Sequence, residues 1–142
     1  MKTITITGGN ISTGVLILSD KGHTKAIKGE RIRWKVKNTA DPVVSIEGVP
    51  LKANTTDIFS GDDGELPRKE DSKNWRADIA TDVHTGDVCD YSIVWKDTDG
   101  VSHTFDPKIS INPSFAPALL VSVVVGALAL TYLLFRRFRR NR

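Results

Sequence analysis

Between residues 1 and 112 the apolar side chains recur on every second position and hold no convincing 3.6-residue period. Ile4 and Ile6 alternate, as do Ile32, Trp34 and Val36, then Trp75, Ala77 and Ile79, then Cys89, Tyr91, Ile93 and Trp95, with Ile109 and Ile111 last. An extended chain sends successive side chains to opposite faces, so each run has one face to bury and one to leave in water. Turn formers punctuate the runs at Gly8-Gly9-Asn10, Lys28-Gly29-Glu30, Asp41-Pro42, Gly61-Asp62-Asp63-Gly64, Thr85-Gly86-Asp87 and Asp97-Thr98-Asp99-Gly100. Seven to eight short strands in one domain, 1–112, predict an all-β, antiparallel two-sheet sandwich around a single core. No internal repeat or second domain is visible.

The pattern changes abruptly after Ser114. Phe115 to Phe135, FAPALLVSVVVGALALTYLLF, is 21 residues with Tyr132 as its sole ionisable group, and Arg-Arg-Phe-Arg-Arg-Asn-Arg follows. At about 1.5 Å per residue such a helix spans roughly the 30 Å apolar core of a bilayer. Pro113 and Ser114 offer a breaker and an N-cap, and Pro117 falls in the first turn, where a missing N–H costs no intrahelical bond. The expectation is one C-terminal transmembrane helix over 113–135 and a basic tail over 136–142. In that tail Arg136, Arg137, Arg139, Arg140 and Arg142 would meet anionic headgroups.

Of the 20 Lys and Arg, those five lie in the tail, leaving fifteen against all 17 Asp and Glu. The body is therefore slightly acidic, and the high pI implies lipid rather than nucleic acid as the anionic partner. Orientation is pulled two ways. Arginines after the span favour a cytoplasmic tail and an extracytoplasmic body. The opening Met1-Lys-Thr-Ile-Thr-Ile-Thr-Gly-Gly, however, holds no continuous apolar stretch of the kind export signals use. A tail-anchored protein with a cytosolic body is the favoured expectation, the extracytoplasmic body its alternative, and the single Cys89 suits a reducing compartment.

Residues 60–74, SGDDGELPRKEDSKN, are polar and lack periodicity, so an exposed loop or an excursion between sheets is expected. Its Asp62, Asp63, Glu65, Glu70 and Asp71 carry oxygens of the kind that bind hard cations, although Arg68, Lys69 and Lys73 offset them and a solvated run is the simpler reading. Asp97-Thr98-Asp99-Gly100 begins like a calcium loop but lacks the later ligands, and a hairpin turn is expected instead. His23, His84 and His103 fall in no catalytic motif, and no phosphate-cradling glycine loop occurs. The chain is read as non-enzymatic, without catalytic, cofactor-binding or metal residues.

The run Ala26-Ile-Lys-Gly29-Glu-Arg-Ile32-Arg-Trp34-Lys-Val-Lys-Asn38, with Gly86-Asp-Val-Cys-Asp-Tyr91 leading to Ile109-Ser-Ile111, resembles the strands of cupredoxin-like sandwiches over about 26–111. Immunoglobulin-like sandwiches share much of it. The resemblance implies a Greek-key fold but not a copper centre, which needs two imidazoles, a thiolate and a weak axial sulfur. Asp41-Pro42-Val43-Val44-Ser45 contains no histidine where the first ligand would stand, Ser92-Ile93-Val94 no cysteine, and Met1 is the only methionine. Cys89, in register with Tyr91, Ile93 and Trp95, reads as a buried structural thiol rather than a ligand paired with His84 or His103.

Two features point to interactions. Arg31, Arg33, Lys35 and Lys37 place four cations on one face of one strand, either a surface for an acidic partner, nucleotide or membrane, or a charged edge that discourages aggregation. Ala118, Ser122, Gly126 and Ala129 line one face of the apolar segment, where small residues let helices pack closely into a homo-oligomer. Three functions follow as expectations. The first is a membrane-anchored binding module with a protein partner. The alternative is a membrane-perturbing effector of a defence or toxin type, and a more remote one is a copper or redox carrier.

Overall fold

A computed structural model describes residues 1–114 of the 142. The expected helix, its small residues Ala118, Ser122, Gly126 and Ala129, and the tail arginines lie outside the described residues. Within them the chain is all-β, with no helix long and apolar enough to cross a membrane. Eleven strands form: β1 Lys2–Gly9, β2 Leu16–Leu18, β3 His23–Ala26, β4 Arg31–Val36, β5 Val43–Gly48, β6 Glu65–Lys69, β7 Asn74–Asp78, β8 Val88–Asp90, β9 Ile93–Asp97, β10 Ser102–Phe105 and β11 Lys108–Ile111.

One five-stranded sheet runs β2-β1-β4-β7-β6, and two three-stranded sheets run β10-β9-β5 and β3-β11-β8. The two smaller sheets share their chain. β8 passes into β9 through Tyr91 and Ser92, and β10 into β11 through Asp106 and Pro107, with the Tyr91 N–H donating to the Pro107 carbonyl at 3.2 Å. They read as one long hairpin, bent where Pro107 has no N–H to offer. The whole is consistent with a β-sandwich.

Two expectations are corrected. Two of the three sheets are mixed rather than antiparallel, because β1 pairs parallel with β4 from Lys2↔Ile32 to Ile6↔Val36, and β11 pairs parallel with β3 from Lys108↔His23 to Ile111↔Ala26, while β10-β9-β5 is antiparallel throughout. The chain leaves β1, crosses to the other sheet as β3 and returns as β4, and a return by crossover arrives parallel. The strands also exceed seven to eight: the long hairpin is broken in two places, and β6 forms inside the polar stretch 60–74. β6 needs no apolar face because it is an outermost strand beside β7.

The alternating residues do form the core. Ile4, Ile6, Ile32, Trp34, Val36, Ala77, Ile79, Cys89, Tyr91, Ile93, Trp95, Ile109 and Ile111 are all buried, while Trp75 is only partly so. Ile58 and Phe59, outside any strand, are buried as well. The Asp57 carboxylate holds that segment in place by accepting the Phe59 and Ser60 N–H groups at 2.9 and 3.2 Å and the Ser60 hydroxyl at 2.6 Å. Gly64 closes the same excursion, where any Cβ would collide with the Phe59 carbonyl.

Each of the three tryptophans donates its indole N–H to a group in the facing layer. Trp34 reaches the Tyr91 hydroxyl at 3.1 Å, Trp75 the Ile46 carbonyl at 3.2 Å and Trp95 the Gly14 carbonyl at 3.0 Å. Trp34 also meets Tyr91 edge-on at 5.6 Å and Phe59 at 6.5 Å. Tyr91→Phe removes the acceptor but keeps the ring, leaving a buried indole donor unsatisfied. Urea unfolding should report a loss of about 1–3 kcal/mol, against about 3–5 kcal/mol for Trp34→Ala.

Candidate functional site

The candidate cations stand on the outer face of the five-stranded sheet, where alternation turns Arg31, Arg33 and Lys35 away from Ile32, Trp34 and Val36. β4 lies in the middle of that sheet, between β1 and β7, so the protected-edge reading fails. The charges there answer neighbours instead. Arg31 sits opposite Asp78 and grips it with two bonds, Nε to Oδ1 at 2.6 Å and Nη2 to Oδ2 at 3.0 Å. The guanidinium hydrogen bond holds the Asp78 carboxyl below its ordinary range. Arg33 sits opposite Arg76, and Glu70 lies between them, 3.1 Å from Arg33 Nε and 3.8 Å from Arg76 Nη1. Glu65 takes Arg68 at 2.6 Å and Arg76 at 3.7 Å. The Arg33 contact is an ion pair rather than an aligned hydrogen bond, since its Nε, like that of Arg76, has no hydrogen-bond acceptor.

The four cations therefore divide. Arg31 and Arg33 are neutralised within the sheet, whereas Lys35 and Lys37 are exposed and make no ion pair among the described residues. Lys73 joins them: its backbone carbonyl accepts the Val36 N–H at 2.8 Å and its ammonium reaches Asn38 Oδ1 at 3.3 Å. This lysine cluster occupies the C-terminal end of β4. The described chain leaves from the other end, where the Asn112 N–H donates to Ala26 at 2.7 Å, one turn before β4 begins.

The acidic residues of 60–74 are dispersed among structural partners. Glu65 and Glu70 belong to the arginine network, Asp63 accepts the Thr81 hydroxyl at 3.2 Å, and Asp71 accepts the Lys73 N–H at 2.7 Å and the Asn74 amide at 2.7 and 2.9 Å. Asp62 is exposed. Among the described residues, no three His, Cys, Asp or Glu side chains are grouped to hold a metal ion.

The histidines go to three separate places. His23 Nε2 lies 2.5 Å from the Ser110 hydroxyl, and His84 is exposed with Nδ1 at 3.8 Å from Asp87. His103 Nε2 lies 2.7 Å from Asp97 Oδ2, and its ring stacks on Trp95 at 4.4 Å. Cys89 is buried, and loss of solvation pushes its thiol up to about 11, so it is a poor nucleophile and a poor ligand near neutral pH.

The Asp97 cluster was not foreseen. Asp97 is only 4% exposed, and its Oδ1 accepts the Asp99 and Val101 N–H groups, both at 2.9 Å, which closes the β9–β10 hairpin turn. The aspartate-to-glycine spacing did mark the turn, and hairpin register then sets His103 opposite Trp95. A surface depression of about 240 Å³ involves Lys52, Asn54, Thr55, Asp90 and Asp106. Within it Lys52 Nζ lies 2.5 Å from the Asp106 carboxylate, which also accepts the Ser92 hydroxyl at 2.7 Å, and the Thr55 hydroxyl accepts the Asp90 N–H at 2.6 Å. Neither a protein-family model nor a curated protein matches this sequence.

His103 first, then the Val101 N–H, hold the Asp97 carboxyl below its ordinary range. A depressed carboxyl stabilises the fold above its unfolded value of about 3.9, and that contribution disappears as pH falls through the folded value. Asp97→Asn should therefore lower the urea midpoint at pH 7. Its gap from the parent should shrink as pH is taken from about 5 down past the folded value. Glu70→Gln should cost about 0.5–1 kcal/mol by leaving Arg33 and Arg76 facing one another, and the cost should fall in 1 M NaCl.

Proposed function

We propose that this chain is a membrane-anchored, non-enzymatic binding module. In this reading a cupredoxin-like or immunoglobulin-like Greek-key body is held at a bilayer by a single pass over 113–135. The tail over 136–142 meets anionic headgroups, and the body stays in the cytosol. The apolar run after an all-β body carries the reading, since a predominantly apolar stretch of 21 residues closed by five arginines suits a bilayer span with one anionic interface. The crossings of the chain between layers, from β2 to β3 and from β3 to β4, support the sandwich body.

The lysine cluster supports a choice between partners. Lys35, Lys37 and Lys73 lie at the end of β4 away from the exit at Asn112, so on an anchored body they face the aqueous phase rather than the bilayer. An acidic protein partner suits them better than headgroups do. The effector alternative is favoured by the stripe Ala118, Ser122, Gly126 and Ala129, on which anchors would associate. The copper-carrier alternative is not carried further: Cys89 is buried and each histidine has another neighbour.

Alkaline carbonate extraction of cells expressing the protein tests the anchor. The full chain should remain in the membrane pellet, and a chain ending at Ser114 should be released. Release of the full chain would overturn the reading. Protease added to intact cells should spare the body, whereas cleavage would place it outside. Membrane depolarisation on expression, abolished by Gly126→Leu, would establish the effector instead.

A further inference from the structure

Six strands lie outermost in the three sheets, and four of them carry charge. β6 has Glu65, Arg68 and Lys69 together with Pro67, β5 has Glu47, β3 has Lys25 and β8 has Asp90. Charges and proline on an edge are the usual guards against strand addition. Among the described strands only β2 and β10 lie outermost with no Lys, Arg, Asp or Glu. From Thr3 to Ser19 the chain has no charged residue at all.

These two edges form one flank. The Trp95 indole N–H bonds the Gly14 carbonyl across the layers, and a side chain at Gly14 would stand 3.0 Å from the Thr104 carbonyl. The tip of the β1–β2 hairpin is thus seated against β10. Around it Ile11, Val15 and Val101 are about half exposed, and Ile17, at the centre of β2, is 61% exposed. At the opposite edge of the same five-stranded sheet, Leu66 is also exposed but stands among the charges of β6.

We propose that the β2–β10 flank is a homotypic interface, in which β2 pairs antiparallel with β2 of a second copy about a two-fold axis at Ile17. An uncharged edge offers a charged partner nothing to pair with, and it offers an identical edge nothing to repel. Pairing about that two-fold axis sets Ile17 against its own copy and Leu16 against Leu18 of the second copy, and it joins two five-stranded sheets into one of ten. Residues 10–18 and 101–105 make a smaller patch than the ~20–30 residues a side of a standard interface, so the contact is weak and forms when copies are concentrated. This inference goes beyond the binding-module reading and does not need the anchor to hold.

Directly opposed antiparallel residues have Cα atoms about 4.5–5.5 Å apart, within disulfide range. The test is oxidative cross-linking of the full chain in detergent micelles, with copper-phenanthroline as oxidant. Cys89 is buried and its thiol raised to about 11, so it stays out of the reaction. Ile17→Cys should yield about tenfold more disulfide dimer than Leu66→Cys, which reports chance collision at the guarded edge. Adding Val15→Lys to Ile17→Cys should remove that excess, and adding Gly126→Leu should leave it. Equal cross-linking at the two positions, survival after Val15→Lys, or loss with Gly126→Leu would each overturn the interface. Carbonate extraction of the same variants reads the anchor separately, so failure of one claim is distinguishable from failure of the other.

Discussion

The indole N–H of Trp34 meets the Tyr91 hydroxyl at 3.1 Å where neither group reaches water. A buried indole N–H needs an acceptor, and the Tyr91 hydroxyl oxygen supplies it. The bond fixes the five-stranded sheet over the strand that joins the two smaller ones. Trp75 and Trp95 repeat the arrangement at the two flanks, through the Ile46 and Gly14 carbonyls. Three directional bonds thus set the relative position of layers that apolar contact alone would leave free to slide.

That frame decides what the polar surface can do. β4 sits in the centre of its sheet with Trp34 on the inner face, and this brings its outward arginines against β7. Arg31 and Arg33 are then used internally by Asp78 and Glu70, while Lys35 and Lys37 make no ion pair among the described residues. The second layer is governed likewise. Trp95 holds Gly14 with its indole and His103 with its face, and Asp97 binds both His103 and its own turn. The uncharged hairpin tip is therefore presented at a defined place beside β10 rather than left loose.

Much of the fold was legible because period two is a direct record of burial. All but one of the alternating residues are in the core, and Trp75 is the exception because it lies beside the outermost β6 and turns its ring toward Ile46. Ile58 and Phe59 were not legible, since a segment pinned by one aspartate shows no periodicity. β6 was hidden for the opposite reason: an outermost strand between polar faces needs no apolar residues. The four-cation face was half legible. Sequence spacing put the side chains on one side, but the carboxylates that neutralise two of them arrive from β7 and from the turn that precedes it.

The sequence by itself determined an all-β body with a single core and, through one apolar run with its arginines, the expectation of an anchor. Both follow from local spacing, which controls which way each side chain points and how long an apolar segment is. Only the tertiary structure decided the parallel pairing of β1 with β4, the separation of the paired arginines from lysines that have no ion pair among the described residues, and the meeting of the two unguarded edges. Those depend on contacts between residues far apart in the chain, and spacing within a strand carries no record of which strand comes to lie beside it.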